Sequence, residues 1–182
     1  MGIPTLIKSV TASDDSEITF VDGTSSVVFD STYDEYMFVF TALNPSSDQV
    51  KLQFQCNAVD ASGYNETMVA TYFYADHCED DSDASLQYEA SYDSLGTGDI
   101  ILSVHTGNDA DQTVSGILNI FSPASTTYTT NFYATTQSAN NVNCSINAYI
   151  GGYFNITAAI DEIKFYMSSG NFDGVIQMYG IA

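Results

Sequence analysis

Apolar and polar residues alternate with a period of two along most of this chain, and no segment carries the longer period of an amphipathic helix of useful length. A chain patterned this way is confined to extended strands that turn one face toward a core. The last stretch is the clearest case. Ile163, Phe165 and Met167 share one face, Lys164, Tyr166 and Ser168 share the other, and Ser169, Gly170, Asn171, Asp173 and Gly174 then supply turn residues. Ile176 and Met178 follow on one face with Val175, Gln177 and Tyr179 on the opposite one, which predicts a closing β-hairpin that completes the main sheet.

The same grammar runs through the rest of the chain. Ile3 to Val10 reads as a first strand, Thr11 to Glu17 as a polar turn, Ile18 to Val21 as a short strand and Val27 to Phe29 as another apolar run. Tyr36 to Leu43 carries Tyr36, Phe38 and Phe40 on one side and Met37 and Val39 on the other, and apolar residues on both sides predict a strand covered from both. In Val50 to Val59, Leu52, Phe54 and Cys56 are expected inward and Lys51, Gln53, Gln55 and Asn57 outward. Further strands are expected over Met68 to Ala75, Leu86 to Tyr92, Ile100 to Val104, Gly116 to Phe121, Tyr128 to Thr136 and Val142 to Phe154, with His77 to Ser85 an acidic loop. About a dozen short strands with closely spaced turn signals predict an all-β fold. A jelly-roll two-sheet β-sandwich suits that strand number best, and an immunoglobulin-like sandwich second. No fixed-period repeat is present, so a solenoid or propeller is not expected.

Length and composition place all of this in one domain, residues 1–182, because 45% hydrophobic content with 13 Tyr and 11 Phe is ample for one core. Charge restricts the partners. Three Lys, no Arg and 23 Asp plus Glu leave a formal net charge of −20, which repels phosphates and anionic headgroups, so no nucleic acid and no membrane is expected among the partners. Self-repulsion of this size is better tolerated in a saline medium, where the Debye length is short. The first residues hold one late positive charge, Lys8, and no long apolar run, so neither a signal peptide nor a membrane span is expected.

Chemistry-bearing motifs are sparse. Cys56, Cys78 and Cys144 lack the close spacing of zinc ligands and are expected to be buried thiols. The run His77, Cys78, Glu79, Asp80, Asp81, Asp83 mixes a soft thiol with hard carboxylates and lacks the EF-hand order, so it reads as a structural loop rather than a cation site. His105 alternates with Ser103 along an apolar strand. No nucleophile elbow, phosphate-binding loop, dinucleotide fingerprint or zinc-protease helix occurs, and without Arg there is no bidentate anion clamp. Paired carboxylates of the glycosidase kind are the one enzymatic arrangement that composition leaves open. The expectation is a non-catalytic protein with no cofactor and no metal.

The run Ser169-Gly170-Asn171-Phe172-Asp173-Gly174, with the strand ending Met178-Tyr179-Gly180-Ile181, resembles the C-terminus of a family of tailed-bacteriophage virion proteins, many of them from marine phages. The resemblance extends over Tyr33 to Phe40, Asn44-Pro45-Ser46, Leu52-Gln53-Phe54, Tyr74 to His77 and Gly116-Ile117-Leu118 through Phe121-Ser122-Pro123. It implies a virion structural protein made in the host cytoplasm and carried on the particle surface, more in keeping with a capsid decoration or cement protein than with a tail fibre. It brings no catalytic residues. By analogy with jelly rolls on phage particles, a homotrimer is expected, with further copies of the chain and the major capsid protein as partners. In a protein made by a bacterium the sequons at Asn65, Asn143 and Asn155 are coincidental.

The alternative is a tail appendage or receptor-binding module for carbohydrate. Tyrosines offer flat apolar faces to sugar rings, so Tyr64, Tyr72, Tyr74, Tyr88, Tyr92, Tyr128 and Tyr133 are the candidate glycan or partner contacts, against an ordinary role in sheet packing.

Overall fold

The computed structural model describes residues 2–182, and these form thirteen strands and one short 3₁₀ turn. In order they are β1 (Thr5–Asp15), β2 (Glu17–Val21), β3 (Glu35–Pro45), β4 (Leu52–Ala58), β5 (Met68–Cys78), β6 (Ala84–Tyr88), the turn Ala90–Tyr92, β7 (Ser94–Gly96), β8 (Ile100–Ile101), β9 (Val114–Phe121), β10 (Asn131–Ala139), β11 (Cys144–Phe154), β12 (Ile160–Met167) and β13 (Phe172–Ile181). They make two antiparallel sheets. The large one runs β1-β13-β3-β9-β10-β11-β5-β6, with β7 also on β5, and the small one runs β2-β12-β4-β8.

This order is a jelly roll carrying two insertions. Setting aside β5 to β7 and β10 to β11 leaves eight strands that face each other as β1-β13-β3-β9 and β2-β12-β4-β8, the two interleaved Greek keys of that architecture. Both insertions add their strands beyond β9 and extend only the large sheet. Between the sheets lies one continuous core, and Phe165 of β12 sits at its centre. Its ring lies 5.1 Å from both Phe38 and Phe40 of β3 and 6.2 Å from both Phe20 and Phe54. Such edge and tilted aromatic contacts add to the area they bury.

Several sequence expectations are corrected here. The closing segment is not a hairpin. β12 bonds β2 and β4 in the small sheet, whereas β13 bonds β1 and β3 in the large one, so Ser168–Asn171 is an arch between sheets. Both strands turn apolar rows into the same core from opposite sides, which a hairpin of adjacent strands cannot do. β13 does complete the main sheet, lying between β1 and β3.

Gln55 and Asn57 face away from the core as expected, yet both are buried, because the loops 59–67 and 97–99 fold over them. Thr11 to Asp15 continues β1 instead of forming a turn, the apolar run Val27 to Phe29 lies in a loop, and the strand expected over Leu86 to Tyr92 gives way at Ala90 to the 3₁₀ turn. His105 lies in a loop with φ of 53°, off the strand that was to carry it. Cys78 and Cys144 are not free thiols but a disulfide across β5 and β11. Cys56 alone is a buried thiol, and burial pushes it well above its ordinary pKa.

Candidate interaction face

Strand parity sorts the seven candidate tyrosines. On β5, Met68, Ala70, Tyr72 and Tyr74 point inward, which takes Tyr72 into the core at 1% exposure and leaves Tyr74 half-buried beside it. Tyr92 follows them inward from the 3₁₀ turn, its ring 5.4 Å from Tyr72. The Tyr92 hydroxyl lies 3.3 Å from His105 Nε2, and Lys51 Nζ sits 4.7 Å above the Tyr92 ring. Burial raises the pKa of all three phenols. Tyr64 packs elsewhere, under Lys164 Nζ at 4.8 Å, on the outside of the small sheet. Tyr128 is 77% exposed on the loop before β10. Tyr88 and Tyr133 both stand at outward strand positions of one sheet.

That surface is the outward face of the large sheet. The register sets Val39 of β3, Ile117 of β9, Thr135 of β10, Tyr149 of β11, Phe73 of β5 and Tyr88 of β6 side by side in one row across six strands. A second row holds Tyr179, Met37, Asn119 and Tyr133. Phe73 and Tyr149 stack with centroids 5.1 Å apart and planes 9° from parallel, and Phe121 stacks on Tyr133 at 5.7 Å. Phe73, Tyr88, Ile117, Tyr133 and Tyr149 are all exposed, as are Leu86 and Leu95 at the sheet's end.

Not one of the outward positions on β9, β10, β11, β5 and β6 is a carboxylate, although the chain carries 23 Asp plus Glu. The acids collect instead at loops such as Glu79–Asp83 and Asp109–Asp111. Within the face, Asn119 is 2% exposed and its Nδ2 has no protein acceptor. Tyr88 donates its hydroxyl hydrogen to Asp93 at the margin, and that bond raises its pKa.

Sequence reasoning missed Phe73, Tyr149, Ile117 and Phe121. Their signal was present as apolar residues on both parities of one strand, but parity alone does not say which side meets the second sheet.

The polar end of the molecule is chemically quieter. A cleft of ≈ 460 Å³ is lined by His77, Glu79, Asp111, Gln112, Gln137 and Asn143 among others. His77 Nε2 pairs with Asp81 at 3.3 Å, Gln112 Nε2 donates to Asn143 Oδ1, and the Cys144 sulfur is bonded to Cys78 and is no nucleophile. Among the described residues no group of three or more His, Cys, Asp or Glu side chains is arranged to hold a metal ion, and no helix is long and apolar enough to cross a membrane. No family model matches the chain, and no curated protein matches it.

Proposed function

We propose that this chain is a non-catalytic structural protein of a bacteriophage particle, a capsid decoration or cement protein whose outward sheet face is buried in the assembled particle. The observation that carries the reading is the segregation of charge: a chain of net charge −20 keeps carboxylates off the outer positions of five adjacent strands and sets aromatic and aliphatic side chains there instead. An exposed apolar patch rimmed by polar residues is the mark of a surface that meets another protein. The acidic remainder would face the medium and keep crowded particles apart.

Two further features support it. A jelly roll is a frequent architecture of capsid subunits. The Cys78–Cys144 disulfide suits a protein that ends up outside the reducing cytoplasm in which it is made. Contacts with other copies of the chain and with the major capsid protein belong to the same proposal, a homotrimer being formed through surfaces other than this face.

A carbohydrate-binding appendage has one observation in its favour, the exposed rings of Tyr88, Tyr128 and Tyr133. Against it, the stacking of Phe121 on Tyr133 takes up one ring face that a sugar would need.

The test is a copy count in purified particles by quantitative mass spectrometry against the major capsid protein. A ratio of the same order as the shell is the expected result. A ratio about a hundredfold lower points to the tail and to glycan binding, and absence from the particle overturns the reading.

A further inference from the structure

We infer that the outward face of the large sheet is covered by another copy of this same chain, packed sheet against sheet. The inference rests on the reading that this face is buried in an assembly, and it names the occupant.

β3 shows the need most plainly. Tyr36, Phe38 and Phe40 are buried against the small sheet, while Met37 and Val39 on the other side are half-buried, in register with Tyr179, Asn119, Gln177 and Ile117 of the face. Strands apolar on both sides belong to sheets covered on both sides. This fold supplies one cover.

Charge selects the second. A basic partner would be drawn to the acidic loops and to Glu35 and Asp173 at the ends of β3 and β13, not to the carboxylate-free strands β9, β10, β11, β5 and β6. What suits a charge-free apolar surface is another such surface, and this chain presents one. Elsewhere two copies of a −20 chain meet carboxylate to carboxylate, so their approach is least opposed here.

Size agrees. Adjacent strands lie about 4.8 Å apart, so the six strands joined in the apolar row, β3 to β6 in the sheet order, span roughly 24 Å. Four outward rows about 6.7 Å apart cover some 20 Å along the strands. The product is on the order of 500 Å² per copy, or about 1,000 Å² for the pair, the lower end of a specific interface. Aligned sheets pack ~10 Å apart, a gap that rings such as Tyr149 and Tyr133 can fill.

The experiment is sedimentation velocity on the purified full chain across protein concentration, at about 0.1 M and about 1 M NaCl, between which the Debye length falls from ~10 Å to ~3 Å. The expected result is self-association that strengthens with salt, the opposite of an attraction between unlike charges. Ile117→Glu and Tyr149→Glu, each placing a charge mid-face at an exposed position, should weaken association about 30-fold or more. Tyr128→Ala, outside the face, should leave it unchanged. A monomer at every concentration and both salts overturns the inference, as does association indifferent to both face variants when circular dichroism shows them folded. The particle copy count separates the two readings: abundant copies with a monomeric free chain overturn only the self-packing, and a self-associating chain absent from particles overturns only the virion role.

Discussion

Cys78 on β5 and Cys144 on β11 stand directly opposite each other in the antiparallel register, and their sulfurs are bonded. β5 belongs to the insertion between β4 and β8, and β11 to the insertion between β9 and β12. The bond therefore staples the two insertions to each other at the end where the acidic loop Glu79–Asp83 leaves the sheet. Neither insertion has a partner strand in the small sheet.

Reduction should cost stability without changing the fold. Closing a loop over a sequence separation of 66 restrains the unfolded chain by about 4 kcal/mol on the chain-entropy account. At about 2–4 °C per kcal/mol for a chain of this size, melting should fall by roughly 10 °C. Calorimetry with and without reductant, and on the Cys78→Ser, Cys144→Ser double variant, measures it. Equal melting points would show that the bond adds nothing to stability.

Gln55 is buried on the outer side of the small sheet, and its amide holds the covering loops in place. Its Nε2 donates to the carbonyls of Thr97 and Gly98, both at 3.1 Å, and its Oε1 accepts from the Cys56 amide at 2.8 Å. Gln55→Ala leaves these groups unpaired and should destabilise by about 2 kcal/mol or more. The neighbouring outward residue Gln53 is partly exposed, and Gln53→Ala should stay within about 0.5 kcal/mol. Urea unfolding of the two variants, side by side, decides whether the loops depend on this amide.

β13 sits between β1 and β3, with Phe172, Ile176 and Met178 fully buried. Deleting Phe172 to Ala182 leaves two strands without a common partner and should give insoluble protein. A milder probe is Ile176→Ala, expected to cost about 3 kcal/mol. Soluble deletion protein that melts like the intact chain would contradict the central place given to β13.

Asp161 is a carboxyl whose pKa is raised, first by burial and next by the neighbouring charge of Glu162, while its Oδ1 accepts from Asn57 Nδ2 at 3.5 Å. A raised folded-state pKa contributes stability that is present below the ordinary carboxylate value of 3.8 and lost as pH rises through the folded value. At neutral pH the ionised group is thus unfavourable. Asp161→Asn keeps the acceptor for Asn57 and removes the charge, so its melting temperature should exceed that of the native chain by roughly 2 °C at pH 7, with the advantage gone near pH 3. A variant that melts lower at pH 7 would mean that the charge of Asp161 is stabilising in the folded chain.

Much of the architecture was legible before any coordinates. Period-two patterning identified the strands, and the residues it groups on one face in the best-patterned ones, Tyr36, Phe38 and Phe40, Leu52, Phe54 and Cys56, Ile163, Phe165 and Met167, are all buried. That signal is local: one strand's alternation is written in its own residues and needs no knowledge of its neighbours. The jelly roll itself was the favoured reading of strand number, and the strand order bears it out.

What the tertiary structure alone decided is everything that depends on which strand lies beside which. A strand, a turn and a strand read alike whether the two bond each other or arch between sheets, because the backbone groups that choose carry no side-chain signature. Hence β12 and β13 read as a hairpin from their residues alone, and Cys78 and Cys144, distant in sequence, carry no sign of standing opposite each other. The candidate face was hidden for the same reason. Tyr72 and Phe73 are neighbours in sequence, and alternation puts them on opposite sides of β5, but only the packing of the two sheets makes one side core and the other surface.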